Sequence, residues 1–346
     1  MKQKYIGSSK YCNNEYWPPV ESTGSISFVI KELMNENSAN IISKLKSIST
    51  VENYDENLMD ALGEIYSLFF HYKDSPIYNE KTIDVPNIFR IKILLEYEMK
   101  RKIISPVLPN SEDIYNSVDL CCDFLEDLTN HNKGLNHSFF DYTESKMTKN
   151  EWVEFLLLET IRNEVVDDEV AMMIPGLQHS MKQVMTSNLW DECGNGNIDN
   201  FHTTWLRRLL KSLNKDNDII EYRKTKPWFA SITSNSLNSL LTTVGGVYCA
   251  YGHFLITESW VAPHFTKMLI GMENVGLTSK DTQIYFTAHK TIDPFHTAEM
   301  LSGIRKMKPQ LEKKELKEIV SGACQAVAAG AVMYDKLEKY FNEGAL

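Results

Sequence analysis

Apolar positions recur at three- and four-residue spacing over long stretches of the chain, and few segments alternate with the two-residue period of a strand. Gly and Pro are scarce, at 16 and 11. The pattern predicts an all-α protein. In the first part FVIKELM and IISKLKSI read as short helices, residues 56–73 and 111–130 as amphipathic ones, and Tyr5–Gly24 as irregular. A Pro-punctuated stretch, Asp74–Pro109, holds one more apolar helix near Phe89–Met99. The polar segment NHNKGLNHS then precedes Thr148-Lys149-Asn150-Glu151, a polar cap with an acid in the first turn. From there helices are predicted over 149–166, 168–191, 200–214, 229–274, 279–307 and 311–342. A soft boundary at about residue 145 divides an N-terminal auxiliary, mostly helical region (1–145) from a core (146–346). The Ala-rich SGACQAVAAGAVMYDKLEKYF of the last helix suits close helix–helix packing.

Composition narrows the function classes. The 346 residues carry 43% hydrophobic and 24% charged side chains, ordinary globular values. The net charge of −10 and the lack of a long Lys/Arg cluster argue against a nucleic-acid partner. The N-terminus has no apolar segment of a secretory signal. The longest near-apolar run, Val244–Ile256, is shorter than a membrane span and reads as a buried helix. No membrane partner is expected. None of the six cysteines forms a C-x-x-C pair, so reduced thiols and a cytoplasmic location are expected.

Chemistry concentrates in three places. His289, Asp293 and His296 follow H-x3-D-x2-H, which on a helix places two imidazoles and a carboxylate in one stripe. Such donors suit iron, manganese or zinc. The alternative is a polar helix face that uses His by chance, but the apolar flanks imply burial, and buried polar groups need partners. Glu192 closes one helix and His202 opens the next, across a Gly/Asn loop that lets their donors approach. Gly194-x-Gly196 in that loop lacks the third Gly, the preceding strand and the Lys of a phosphate-binding loop. Glu258 is a lone acid in an apolar and aromatic helix; either a metal or a bond to Ser259, Thr257 or a tyrosine would satisfy it. Glu192, His202, Glu258, His289, Asp293 and His296 together supply three carboxylates and three imidazoles on successive helices, the ligand count of a carboxylate-bridged di-iron centre.

Residues 186–300 resemble the heme-oxygenase-like di-iron oxidase/oxygenase family, also described as iron-containing redox enzymes. The matching motifs are Asp191-Glu192-x9-His202, Gly252 to Glu258, and His289-x3-Asp293-x2-His296; the segment ESWVAPHFTKMLIGMENVGLTSKD also resembles the family's linker. The intervals of 56 residues from His202 to Glu258 and 31 from Glu258 to His289 fit as well. The resemblance implies a heme-oxygenase-like helical bundle with those six residues as ligands of two Fe2+ ions and O2 as co-substrate. It implies oxidation of an amine-bearing small molecule, foremost N-oxygenation of an amino acid or derivative in a biosynthetic pathway, with an external electron donor and a homodimer as possible partners. The alternatives are desaturation or C–C cleavage of an amino acid or fatty acid on the same centre, and a metal-free helical binding scaffold. Some N-oxygenating members add a carboxylate from the preceding helix; Asp167, Asp168 and Glu169 lie in that region, and Glu169 is favoured.

Pro294 directly after Asp293 predicts a kink or local unwinding there. His71, His131, His137 and His179 lack partners at ligand spacing. His253 and His264 flank Glu258 and are candidates for the substrate pocket, while Tyr251, Phe254 and Trp260 read as core.

Overall fold

The computed structural model describes residues 26–70, 75–79 and 84–344. The expectations for Tyr5–Gly24 and His71 lie outside them. Among the described residues there are helices and no strands. The N-terminal elements are α1 (Phe28–Met34), α2 (Ile41–Ile48), α3 (Tyr54–Phe70), α4 (Pro76–Asn79), α5 (Val85–Met99), α6 (Val118–Asn130) and α7 (Ser138–Ser145). The remainder comprises α8 (Lys149–Asn163), α9 (Val166–Met173), α10 (His179–Glu192), α11 (His202–Ser212), α12 (Asp218–Thr225), α13 (Ile232–Leu241), α14 (Val247–Asn274), α15 (Lys280–Arg305) and α16 (Lys313–Asn342).

Local chemistry sets many of the ends. Thr148 and Glu151 form a reciprocal capping box at the start of α8, as the sequence predicts. Helix α6 starts at Val118 rather than 111, because Ser117 caps it through Leu120 N–H and a separate 3-10 turn occupies Asp113–Tyr115. The helix expected over 168–191 is two helices. Pro175 and Gly176 sit in a 3-10 turn and His179 takes a φ of 49°. The helix expected over 229–274 also divides: Gly245 adopts a φ of 79°, and Val244, read as part of a buried run, is fully exposed. Conversely, the joint KDNDIIEYRKTKP contains α12. Of the kink or local unwinding expected at Asp293, the unwinding is absent, since α15 stays helical through Pro294.

The three longest helices organise the molecule. Helix α14 packs along α15 on one side and α16 on another, and α10 and α11 lie against α15. The crossing of α14 and α16 is close enough for backbone contact. A Cβ on Gly252 would stand 1.8 Å from the Ile319 carbonyl oxygen, and one on Gly322 1.8 Å from that of Cys249. The Ala-rich face of α16 therefore packs as expected. By length and composition α16 is apolar enough to cross a membrane, but in this fold it is mostly buried against its neighbours. Helices α6 and α7 cover the bundle, and α3 meets α13, where the Asn235 side chain donates to the Met59 carbonyl at 2.9 Å. Lys92 of α5 is buried, pairs with Glu96 at 2.9 Å and reaches the Thr242 carbonyl at 3.3 Å. The five described cysteines are free, as expected, the adjacent Cys121 and Cys122 included.

Candidate metal centre

Four helices bring the six singled-out residues together in the interior. Glu192 ends α10 and His202 begins α11. The chain between them turns sharply, with left-handed φ at Gly194, Asn195 and Gly196. A Cβ on Gly194 would collide with the backbone of Asn200 at 2.4 Å, so only glycine allows this return. Glu258 comes from α14, and His289, Asp293 and His296 from α15. All six are buried.

They fall into two groups of three. Glu192, His202 and His289 form one, and Glu258, Asp293 and His296 the other, with the ligating atoms of each group within 4.8 Å of one another. The stripe on α15 is thus divided: His289 faces the α10–α11 turn, whereas Asp293 and His296 face α14. In the first group His202 Nδ1 stands 2.7 Å from Glu192 Oε2. Neither atom has a hydrogen-bond partner of acceptable geometry, despite that proximity. The His289 ring lies 4.2 Å from that of His202, centroid to centroid. Its Nδ1 is 2.7 Å from the Tyr285 carbonyl, so Nδ1–H donates there and Nε2 is left as an acceptor. In the second group His296 Nδ1 lies 3.3 Å from Glu258 Oε2 and 3.6 Å from Asp293 Oδ1. Asp293 Oδ1 is buried without a hydrogen-bond partner. Ser259 and Thr257 donate to backbone carbonyls of their own helix instead of to Glu258.

The charge balance points the same way. Burial pushes the Asp293 carboxyl far above its ordinary range, with the Glu258 and Glu192 charges adding to it. Burial also raises Glu258. Burial opposes ionisation of Glu192, but the His202, His289 and His296 imidazoles outweigh it and hold the carboxyl low. Burial and the neighbouring His202 bring His289 down to about 3, which keeps the ring neutral and able to ligate. A buried cluster of three carboxylates and three imidazoles is costly when uncompensated. The stranded donor atoms, the burial and the nitrogen/oxygen composition fit iron.

A further acid of the same motif, the residue before Glu192, stands against the second group. Asp191 places Oδ2 3.3 Å from His296 Nε2, on the opposite edge of the ring from Glu258. Its carboxylate can fix the tautomer and orientation of that imidazole. The signal was its position beside Glu192, but the helix face it occupies is not readable from spacing. Glu169 belongs to neither group.

A cavity of about 120 Å³ opens on this centre, lined among others by Glu192, Glu258, His289 and Asp293. His253 and His264 line it too. Burial brings both imidazoles down to about 3. His253 Nε2 sits 3.0 Å from Ser236 Oγ, and His264 Nε2 3.1 Å from the Gly134 and Leu135 carbonyls. Phe254 and Trp260 also line the cavity and are not core alone; Tyr251 does stay in the core, donating to the Met300 carbonyl at 2.8 Å. Arg162 and Glu169 also line it. Among the remaining histidines, His131 pairs with Asp127 at the surface and His137 caps α7 while reaching Asp335.

A bundle of this architecture around a buried carboxylate/imidazole centre defines an iron-binding helical oxidoreductase. The model of the iron-containing redox enzyme family matches residues 153–331, which span all six residues, and the chain belongs to that family with its heme-oxygenase-like helical fold. A comparison with the curated proteins gives no match.

Proposed function

We propose that the protein is a non-heme di-iron oxygenase that uses O2 to oxidise an amine-bearing small molecule, with N-oxygenation of an amino acid or derivative as the reaction. The observation that carries this reading is the pair of adjacent buried ligand groups with stranded donor atoms. Glu192, His202 and His289 would hold one iron, and Glu258, Asp293 and His296 the other. Bound iron would supply electrons to O2. The chain's own part is to keep His289 neutral, to orient His296 through Asp191, and to enclose the substrate in the adjoining cavity.

The test is anaerobic Fe(II) loading of the full chain, followed by O2. The reading requires two irons per chain, an absorbance transient on O2 addition, and loss of iron in His289→Ala and Glu192→Ala. Fewer than one iron per chain and no transient would rule it out in favour of a metal-free scaffold. Mass spectrometry of turned-over amines separates the reactions: one or two added oxygens on nitrogen support N-oxygenation, whereas loss of two hydrogens or of a fragment indicates desaturation or C–C cleavage.

A further inference from the structure

The cavity on the metal centre is closed in by its own wall. Among the described residues that line it, all are buried or half-buried and none is exposed. A second cavity of about 230 Å³ adjoins it, and Arg162, Glu169 and Ser234 line both. These three side chains therefore stand at the partition between the two spaces. Arg162 is anchored there by its pair with Glu159, whereas Glu169 Oε1 has no hydrogen-bond partner that would fix it across the junction.

The second cavity does reach the surface. Among the described residues that line it, Gly63 alone is exposed. Gly63 lies in α3, and no atom stands within 4 Å of a Cβ built there. Tyr66, Ser67 and Phe70 continue the wall along the same helix. Helix α3 lies outside residues 153–331, the part of the chain matched to the family. Ser231, Asn235 and Asn238 line the cavity as well, and Asn238 Oδ1 is buried without a hydrogen-bond partner. A polar molecule passing inward meets hydrogen-bonding groups in place of the water it leaves.

We propose that the second cavity is the access route of the organic substrate, with its mouth at Gly63, and that α3 of the N-terminal region thereby controls what reaches the metal centre. The inference rests on the oxygenase reading only for what happens at the inner end of the route. With no side chain at Gly63 the mouth stays open, and a large side chain there has room to fill it without pressing on a packed neighbour. Closing a route slows arrival and departure by the same factor and leaves the equilibrium affinity unchanged. Distorting the site itself changes the affinity instead.

The experiment compares Gly63→Phe and Gly63→Trp with Gly63→Ala in the full chain, loaded with iron and oxidised. The probe is acetohydroxamate, a small organic iron ligand whose charge-transfer band reports its arrival in stopped flow. In Gly63→Trp the association and dissociation rate constants are expected to fall together by about tenfold or more, with Kd within about twofold of the wild type. Gly63→Phe should fall less, and Gly63→Ala should match the wild type. All three should keep the wild-type iron content. A second measurement needs no iron. Ser234→Cys puts a thiol on the partition, and its modification by benzyl methanethiosulfonate in the metal-free full chain is read by peptide mass spectrometry, apart from the native cysteines. Adding Gly63→Trp should slow that modification by about tenfold or more. An association rate unchanged in both Gly63→Phe and Gly63→Trp overturns the proposal, because the probe then arrives by another way. Equal modification of the introduced thiol with and without Gly63→Trp overturns it too. A wild type that holds no iron sinks the oxygenase reading, while the thiol measurement still decides the route.

Discussion

Gly252→Ala tests whether the bundle that carries the centre is as tightly crossed as it looks. Taken alone, the change favours the helix, because Gly in a helix interior costs about 0.5–1 kcal/mol relative to Ala. The new Cβ, however, would sit 1.8 Å from the Ile319 carbonyl oxygen, against about 3.4 Å for an ordinary contact, so α14 and α16 must part by about 1.6 Å. The obstacle is backbone, and no rotamer change relieves it. Overpacking of this kind costs typically about 1–3 kcal/mol and sometimes more. A helix-on-helix backbone clash belongs at the upper end, so the net loss is about 2 kcal/mol. For a chain of this size that lowers the thermal midpoint by roughly 3 °C. Glu258 lies on the same helix six residues further along, so iron affinity should fall with stability. The assay is thermal unfolding beside anaerobic iron titration. Gly63→Ala is the control: no atom lies within 4 Å of a Cβ there, and the change should stabilise by about 0.5–1 kcal/mol. A Gly252→Ala protein as stable as the wild type would refute the close crossing.

Further outcomes follow from single contacts. The folded pKa of Glu169, about 8, lies above its unfolded value of about 4.3, so the native state binds more protons between those limits and stability falls as pH rises through that window. Asp167 and Asp168 face it from its own helix, and Glu192, Arg162 and Lys226 lie along the adjoining cavities. Glu169→Gln should therefore gain on the wild type from about pH 5 to pH 8, reaching roughly 3–5 kcal/mol; a pH-independent difference in urea unfolding would contradict this. Asp191→Asn should weaken iron binding in the group containing His296 by about 10–100-fold, with the other group little changed, as read by stepwise Fe(II) titration. Lys92→Met leaves Glu96 without its cation and should cost about 3 kcal/mol, much of which a second change, Glu96→Gln, should restore in thermal unfolding.

How far the sequence carried can be traced residue by residue. Helices with one apolar face were legible because burial imposes the 3.6-residue period on them. The breaks at Pro175-Gly176 and Gly245-Gly246 were also written in the chain, but apolar spacing on either side of each runs in phase and hides the interruption. Helix α12 is hidden in the sequence for the opposite reason. DIIEYRKT buries little beyond Ile219 and looks like a linker. Of the six buried residues, His289, Asp293 and His296 are legible because H-x3-D-x2-H fixes one helix face, whereas Glu192, His202 and Glu258, on other helices, are legible only together with the resemblance in motif order and spacing. Their division into two groups was not, since it depends on how α10, α11 and α14 are rotated about α15.

The same limit applies more strongly to Arg162 and Glu169. Seven residues apart on a continuous helix they would share a face, but the sequence singles out Glu169 only as an added carboxylate near the metal and gives Arg162 no role. Between them α8 ends at Asn163 and α9 begins at Val166, so the helical period no longer relates one side chain to the other. The break re-aims the acid into the interior, where it meets the cavity beside the metal centre while Arg162 stays anchored on Glu159. Spacing locates groups that one element holds. Groups that line one cavity from either side of a helix break are placed by tertiary packing, and there a buried carboxyl oxygen without a donor becomes the informative sign.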